Sequence, residues 1–169
     1  MNAGATLAVG LLPGAALGAS FGLRLSPAER RYGVDVRGTY LPTRRAEVGD
    51  AAGGSFSLAA GALSGWWVPR RSRSVSLALG AGLELGNVTA VGHGFSPNRY
   101  AQSWIVSGVI QLELAWELSR ALSLLLLPEL GVPLRKDQFA GTLASGEHRV
   151  VFEPSPAFAT LSVGLGFGP

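Results

Sequence analysis

Several stretches of this sequence alternate between large apolar residues and small or polar ones. In the clearest stretch, Val, Leu or Ala occupies every second position and Ser, Ala, Gly or Glu lies between them. A period of two is typical of β-strands, because successive side chains of a strand point to opposite faces. Strong alternation covers residues 74–86, 103–118, 122–134 and 157–167.

Weaker alternation in the first half of the chain completes the set of predicted strands. Residues 17–25, 32–40 and 56–62 show it, with Phe56 and Leu58 assigned to the apolar face, and a short strand is expected near residues 6–11. The total is about eight strands. In the stretch 122–134, Leu125 and Leu127 interrupt the otherwise polar face.

Composition indicates where these strands reside. Only 15% of the residues are charged, against about 25% in ordinary soluble domains, and mean hydropathy is +0.30. The 24 glycines and 10 prolines disfavour long helices, and no apolar run approaches the roughly 20 residues of a membrane-spanning helix. Backbone groups in hydrocarbon must be hydrogen-bonded internally, so we predict an all-β fold, a closed antiparallel up-and-down transmembrane β-barrel over residues 1–169 as one domain.

The connections between predicted strands alternate in length. Short turns are expected at residues 26–30, 69–72 and 119–120, and longer loops at 43–54, 91–100 and 140–147. Bacterial outer-membrane barrels have short periplasmic turns and longer external loops. Residues 1–20 resemble a secretory signal in part, but Pro13 and Gly14 favour a strand, a turn and a second strand, with the exporting signal already removed.

Aromatic residues fall near the predicted strand ends, as in the two girdles of a membrane barrel. Ordinary enrichment of aromatic residues in strands is the alternative explanation. The predicted turn-side girdle is Tyr32, Trp66, Trp67, Trp116 and Phe167, and the loop-side girdle is Tyr40, Phe56, Tyr100 and Trp104.

The orientation of the two faces decides between two functions. A soluble lipocalin-like barrel would hold a ligand against an inward apolar face, but its outside would then display mainly Ser, Ala and Gly with few charges. We therefore predict the apolar face outward, toward lipid, and a lumen lined by a network of ion pairs and hydrogen bonds. Structural packing is favoured over a gated ion path. The predicted network contains Arg24, Asp35, Arg37, Glu84, Glu113 and Glu129, with Glu117 and Arg135 as further candidates.

Catalytic and metal chemistry is weakly supported. His93 and Ser96 lie in one predicted loop and His148 follows Glu147 in another, so a serine, a carboxylate and an imidazole could meet at the rim. The residue types are common, so we predict no enzyme, no metal site and no cofactor. Arginine clusters are interrupted by apolar segments, which disfavours nucleic acid and favours lipid and lipopolysaccharide phosphates as their partners.

The alternating segments at 75–85, 104–118, 122–134 and 157–167 give the chain its family resemblance. In pattern it resembles the small eight-stranded outer-membrane barrels of the OmpA and OmpX type. The resemblance implies a monomer in the bacterial outer membrane with a role in envelope integrity, adhesion or defence through its loops. Members commonly end on an aromatic residue, whereas here Gly168 and Pro169 follow Phe167. The alternatives are the lipocalin-like ligand carrier and an outer-membrane lipid-modifying enzyme.

Overall fold

The computed structural model describes residues 1–25, 31–48, 52–72, 74–95, 100–135, 137–142 and 147–168. Every regular element in these ranges is a β-strand. No helix in the described ranges has the length and apolar character needed to cross a membrane. The strands are β1 (Asn2–Val9), β2 (Ala15–Leu25), β3 (Tyr32–Val48), β4 (Ala52–Arg71), β5 (Val75–His93), β6 (Tyr100–Glu117), β7 (Leu122–Arg135), β8 (Phe139–Thr142), β9 (His148–Phe152) and β10 (Phe158–Phe167).

Eight of these strands close into an antiparallel barrel in the order β1-β10-β7-β6-β5-β4-β3-β2. Strand β1 completes the ring, because it pairs with β2 on one side and with β10 on the other. The prediction of a closed eight-stranded up-and-down barrel is thus confirmed. The remaining strands, β8 and β9, form a separate hairpin that the sequence pattern did not predict.

The chain termini and the connections that follow β2, β4 and β6 lie at one end of the barrel, which we call the turn end. The connections that follow β1, β3, β5 and β7 lie at the other end, the loop end. At the loop end, β1 and β2 are joined by a tight connection in which Gly10 and Gly14 have φ angles of 95° and 67°. These left-handed values favour glycine, since a Cβ would clash with the backbone. The predicted strand, turn and strand at the start of the chain are therefore present.

The strands are longer at the loop end than predicted. Most of the predicted loop 43–54 belongs to β3 and β4, which remain paired as far as Val48 and Ala52. Similarly, β5 continues to His93, and β8 occupies the start of the third predicted loop. At the turn end, β4 extends into the predicted turn at 69–72. Backbone pairing continues there even though the side chains no longer alternate. The predicted turn at 26–30 lies outside the described residues.

The apolar faces of the strands point outward. Leu83 on β5, Ile110 on β6 and Leu130 on β7 are each exposed by about 60%, while their neighbours Glu84, Gln111 and Glu129 are buried in the lumen. Exposed large apolar side chains occur on all eight barrel strands. The barrel is therefore apolar outside and partly polar inside, as the sequence predicts.

Strand β4 departs from its predicted orientation. Phe56 and Leu58 are predicted on the outward face, but both are buried inside the barrel. Their strand carries small residues at most of the intervening outward positions, so hydrophobicity did not distinguish its two faces. Leu127, which interrupts the polar face of β7, also points inward and packs with Trp66 and Ala78.

The lumen is filled differently at its two ends. A cluster of buried apolar side chains closes its loop end, and we call it the apolar plug. Polar and charged side chains line the middle and the turn end. The plug consists of Ala8, Leu11, Leu12, Ala16, Leu41, Phe56, Leu58, Val88, Ala90, Ile105, Val109, Phe139 and Phe158.

Candidate functional site

A buried ion pair crosses the middle of the lumen. Arg37 on β3 donates a hydrogen bond from Nη2 to Oε2 of Glu129 on β7. Strands β3 and β7 are fourth neighbours of each other in both directions around the ring, so the pair spans the full diameter. Both side chains are almost completely buried, which makes their mutual contact essential, since an unpaired charge in this position would be costly.

Glu129 is held from both neighbouring strands as well as from across the lumen. Gln111 on β6 donates from Nε2 to Oε2 at 2.5 Å, and Thr160 on β10 donates from Oγ1 to Oε1 at 3.2 Å. Both residues are the register partners of Glu129. The carboxylate is therefore fixed by three donors. The sequence pattern predicts Glu129 and Arg37 in the lumen network. It does not predict the uncharged donors Gln111 and Thr160 there, because the positions of these donors opposite Glu129 depend on strand register.

A second ion pair lies nearer the turn end and also spans the diameter. Arg24 on β2 donates to both carboxylate oxygens of Glu113 on β6, at 2.6 and 2.7 Å, and these strands are again fourth neighbours. The guanidinium carbon of Arg24 lies 4.3 Å from the centre of the Trp66 ring, within the range of a cation–π contact. The side chain of Arg24 is 23% exposed, so water reaches this pair.

Asp35 and Glu84 are also buried in the lumen. Asp35 is the register partner of Arg24, but its Oδ1 accepts no hydrogen bond from the described residues. Together the six predicted residues place four carboxyl groups and two guanidinium groups in the lumen. Glu117 and Arg135, the two further candidates, are exposed at the strand ends, and Glu117 lines the same turn-end cavity as Arg24 and Glu113.

The predicted aromatic girdles are only partly on the outer surface. The prediction that Trp66 belongs to the turn-side girdle is wrong, because its ring is buried in the lumen at 3% exposure. Adjacent Trp67 points outward and is 52% exposed. The prediction that Phe56 belongs to the loop-side girdle is also wrong, since Phe56 is part of the apolar plug. The remaining girdle residues have exposed or half-exposed side chains: Tyr32, Trp116 and Phe167 toward the turn end, and Tyr40, Tyr100 and Trp104 toward the loop end.

The β8–β9 hairpin is attached to the loop end through aromatic contacts. The ring of Phe56 lies 5.4 Å from that of Phe139 in an edge-to-face arrangement and 5.1 Å from that of Phe152. Ser103 on β6 donates to the Asp137 carboxylate at 2.7 Å, which ties the start of the hairpin to the barrel. The hairpin and the ends of the barrel strands enclose a cavity of about 220 Å³, which we call the rim cavity.

The histidines form no recognisable catalytic group. His148 Nδ1 lies 2.7 Å from the hydroxyl of Thr142, its register partner in the hairpin. Ser96, which lies in the same predicted loop as His93, is outside the described residues. Within the described ranges, no three His, Asp or Glu side chains are grouped so that they could hold a metal ion.

Comparison with solved structures identifies the fold. The attachment invasion locus protein Ail of Yersinia pestis matches with a TM-score of 0.59 and 13% identity over 98% of this chain and 94% of that one. Ail in complex with the heparin analogue sucrose octasulfate gives the same TM-score with 14% identity. Neisserial surface protein A, NspA, matches with a TM-score of 0.62 and 14% identity over 98% of this chain and 92% of that one. No protein-family model and no curated protein sequence matches the chain. The chain has the fold of the small eight-stranded outer-membrane β-barrels.

Proposed function

We propose that this chain is a non-enzymatic, monomeric protein of the bacterial outer membrane, in which the barrel is the anchor and the loop end is the surface that contacts partners. The observation that carries the proposal is the apolar exterior. Large apolar side chains are exposed on every barrel strand, whereas soluble monomers rarely expose contiguous apolar patches larger than about 300 to 600 Å². Lipid removes the cost of this exposure.

The interior supports an anchor better than a pore. The apolar plug closes the loop end of the lumen, and two ion pairs cross its polar part from wall to wall. We infer that the predicted network of Arg24, Asp35, Arg37, Glu84, Glu113 and Glu129 is structural. Its role is to satisfy inward-facing polar groups and to join opposite walls, since a narrow eight-stranded lumen is normally filled by side chains.

The partners we propose are outer-membrane lipid, lipopolysaccharide and a surface partner bound by the loop end. Arg44 and Arg45 lie on the loop-end extension of β3, and Arg135 ends β7. Phosphate groups at the outer surface would attract these cations. Arg149 contributes less, because its guanidinium is already hydrogen-bonded to Glu147 at 2.8 Å. The complex of Ail with a heparin analogue makes sulfated polysaccharides a second class of ligand to test.

A charged substitution on the outer surface tests the proposal that the barrel lies in a membrane. Leu83 lies near the middle of β5 and is 59% exposed. Leu83→Arg should weaken folding into phospholipid vesicles by about 2 to 4 kcal/mol if this position faces the middle of the bilayer. Leu83→Ala is the matched control and should lose much less. Folding is measured by strand-rich circular dichroism and by the heat-dependent shift of the folded barrel in gel electrophoresis.

The same experiment separates the anchor from a soluble carrier. A membrane barrel folds only with lipid or detergent, whereas a lipocalin-like carrier folds in plain buffer and tolerates Leu83→Arg. Folding in buffer with an unchanged Leu83→Arg variant would overturn the proposal. For the enzyme alternative, unchanged acyl chains on lipid A after incubation, read by mass spectrometry, are the expected result.

A further inference from the structure

The rim cavity at the loop end combines a partly open, concave shape with aromatic walls and a polar edge. It lies between the β8–β9 hairpin and the ends of β4, β5 and β6. Rings of Phe56, Phe95 and Phe139 line it. Ligand cavities are typically concave, mostly apolar and provided with a few polar groups that orient the ligand. We propose that the rim cavity binds a free small molecule that has one aromatic ring and a short hydroxyl-bearing substituent.

Glycines allow the aromatic walls to approach closely. A Cβ on Gly141 would lie 2.6 Å from the Phe95 ring, and a Cβ on Gly54 would lie 2.8 Å from the Phe56 ring. Both distances are shorter than any ordinary carbon contact, so any larger residue would push a ring away from its position. Phe56 is further fixed by its contacts with Phe139 and Phe152. The walls are therefore formed by packed rings before a ligand arrives, which reduces the ordering cost of binding.

The polar edge consists of Thr142 and His148. Their side chains line the rim cavity and contact each other through the Thr142 hydroxyl and His148 Nδ1 at 2.7 Å. A hydroxyl both donates and accepts, and an imidazole has a second nitrogen besides the one used here. The pair thus retains hydrogen-bonding capacity for a hydroxyl group on a ligand.

Volume limits the ligand to one ring. An engineered cavity of about 150 Å³ lined by apolar residues binds benzene, and the rim cavity measures about 220 Å³. The additional volume corresponds to a short substituent.

Benzyl alcohol and toluene are suitable probes, because they differ by one hydroxyl group. The full chain, folded in lipid nanodiscs, is titrated with each probe and followed by the amide NMR signals of residues 138–142 and 148–151. Benzyl alcohol should produce saturable shifts confined to these residues. Shifts that rise without saturation or spread over the lipid-facing strands would show partition into lipid only and would overturn the proposal.

Two pairs of variants locate the site and its polar edge. Ala140 is exposed and lines the rim cavity, whereas Ala157 is exposed at the same end but outside it. Ala140→Trp should weaken benzyl alcohol binding at least tenfold, and Ala157→Trp should change it by less than twofold. Thr142→Val should weaken benzyl alcohol binding by about threefold to tenfold, the effect of one hydrogen bond, and leave toluene binding unchanged. Equal binding by the wild type and Ala140→Trp would refute the site, and equal loss of both probes in Thr142→Val would refute the polar edge.

Discussion

Removal of Arg37 should strongly destabilise the barrel. Arg37 is the cation that faces Glu129 across the diameter, and both side chains are almost completely buried. Arg37→Met keeps the unbranched aliphatic part of the side chain, removes the guanidinium and leaves Glu129 with only the neutral donors Gln111 and Thr160. Breaking a buried pair in this way costs about 3 to 5 kcal/mol, because the remaining charge is uncompensated. The loss is measured by urea unfolding in phospholipid vesicles, followed by tryptophan fluorescence.

Two comparison variants isolate the ionic contribution. Arg24→Met breaks the other diametric pair, but its side chain is 23% exposed, so the loss should be only about 1 to 2 kcal/mol. The double variant Arg37→Met/Glu129→Gln removes both charges and keeps an oxygen for the neutral donors. It should recover at least half of the stability lost in Arg37→Met. A loss below about 1 kcal/mol in Arg37→Met, or a double variant as unstable as the single one, would refute the reasoning.

Three further changes test other parts of the barrel. Gly82→Ala should lower the free energy of unfolding by about 1 to 3 kcal/mol in the urea assay, since its Cβ would lie 2.2 Å from the Leu63 carbonyl oxygen. Gly65→Ala is the control and should cost little, because a Cβ on nearby Gly65 has no atom within 4 Å. Phe56→Ala should lose about 3 to 5 kcal/mol and produce a leak current in planar bilayers by opening the apolar plug. The absence of any current would contradict the assignment of Phe56 to the barrier that closes the lumen. Phe21→Ala removes an exposed outward ring and should leave both readouts near those of the wild type. Leu83→Arg, described above, tests the outer surface.

The sequence predicted the barrel wherever the two faces of a strand differ strongly in character. On β5, Leu83 and Glu84 cannot both face the same environment, so their orientation follows from solvation alone. The same reasoning predicts Asp35, Arg37 and Glu113 on inward faces. These residues are indeed buried. The alternation does not predict the pairing of Arg37 with Glu129, because that pairing depends on the number of strands and their order around the ring.

Prediction failed where solvation gave no preference. Strand β4 carries Phe56, Leu58 and Trp66 on one face and small residues with Leu63 and Trp67 on the other, and both faces are acceptable to lipid. Packing decides instead, because the large side chains are needed to fill the lumen. Adjacent Trp66 and Trp67 offered one usable signal, since neighbouring residues of a strand cannot share a face. The rim cavity was not predictable, because it depends on how the β8–β9 hairpin folds over the barrel.

Closure of the ring by β1 and β10 has a consequence for how the barrel forms. The amino group of Met1 donates to the Phe167 carbonyl at 2.7 Å, across 166 positions of the chain. Until the last strand is in place, both β1 and β7 present an unpaired backbone edge beside apolar side chains, the arrangement from which strands aggregate. Such distant pairing is also slow to form. Assembly therefore requires that both open edges be shielded until the final strand arrives, a demand that falls on whatever machinery escorts the chain to the membrane.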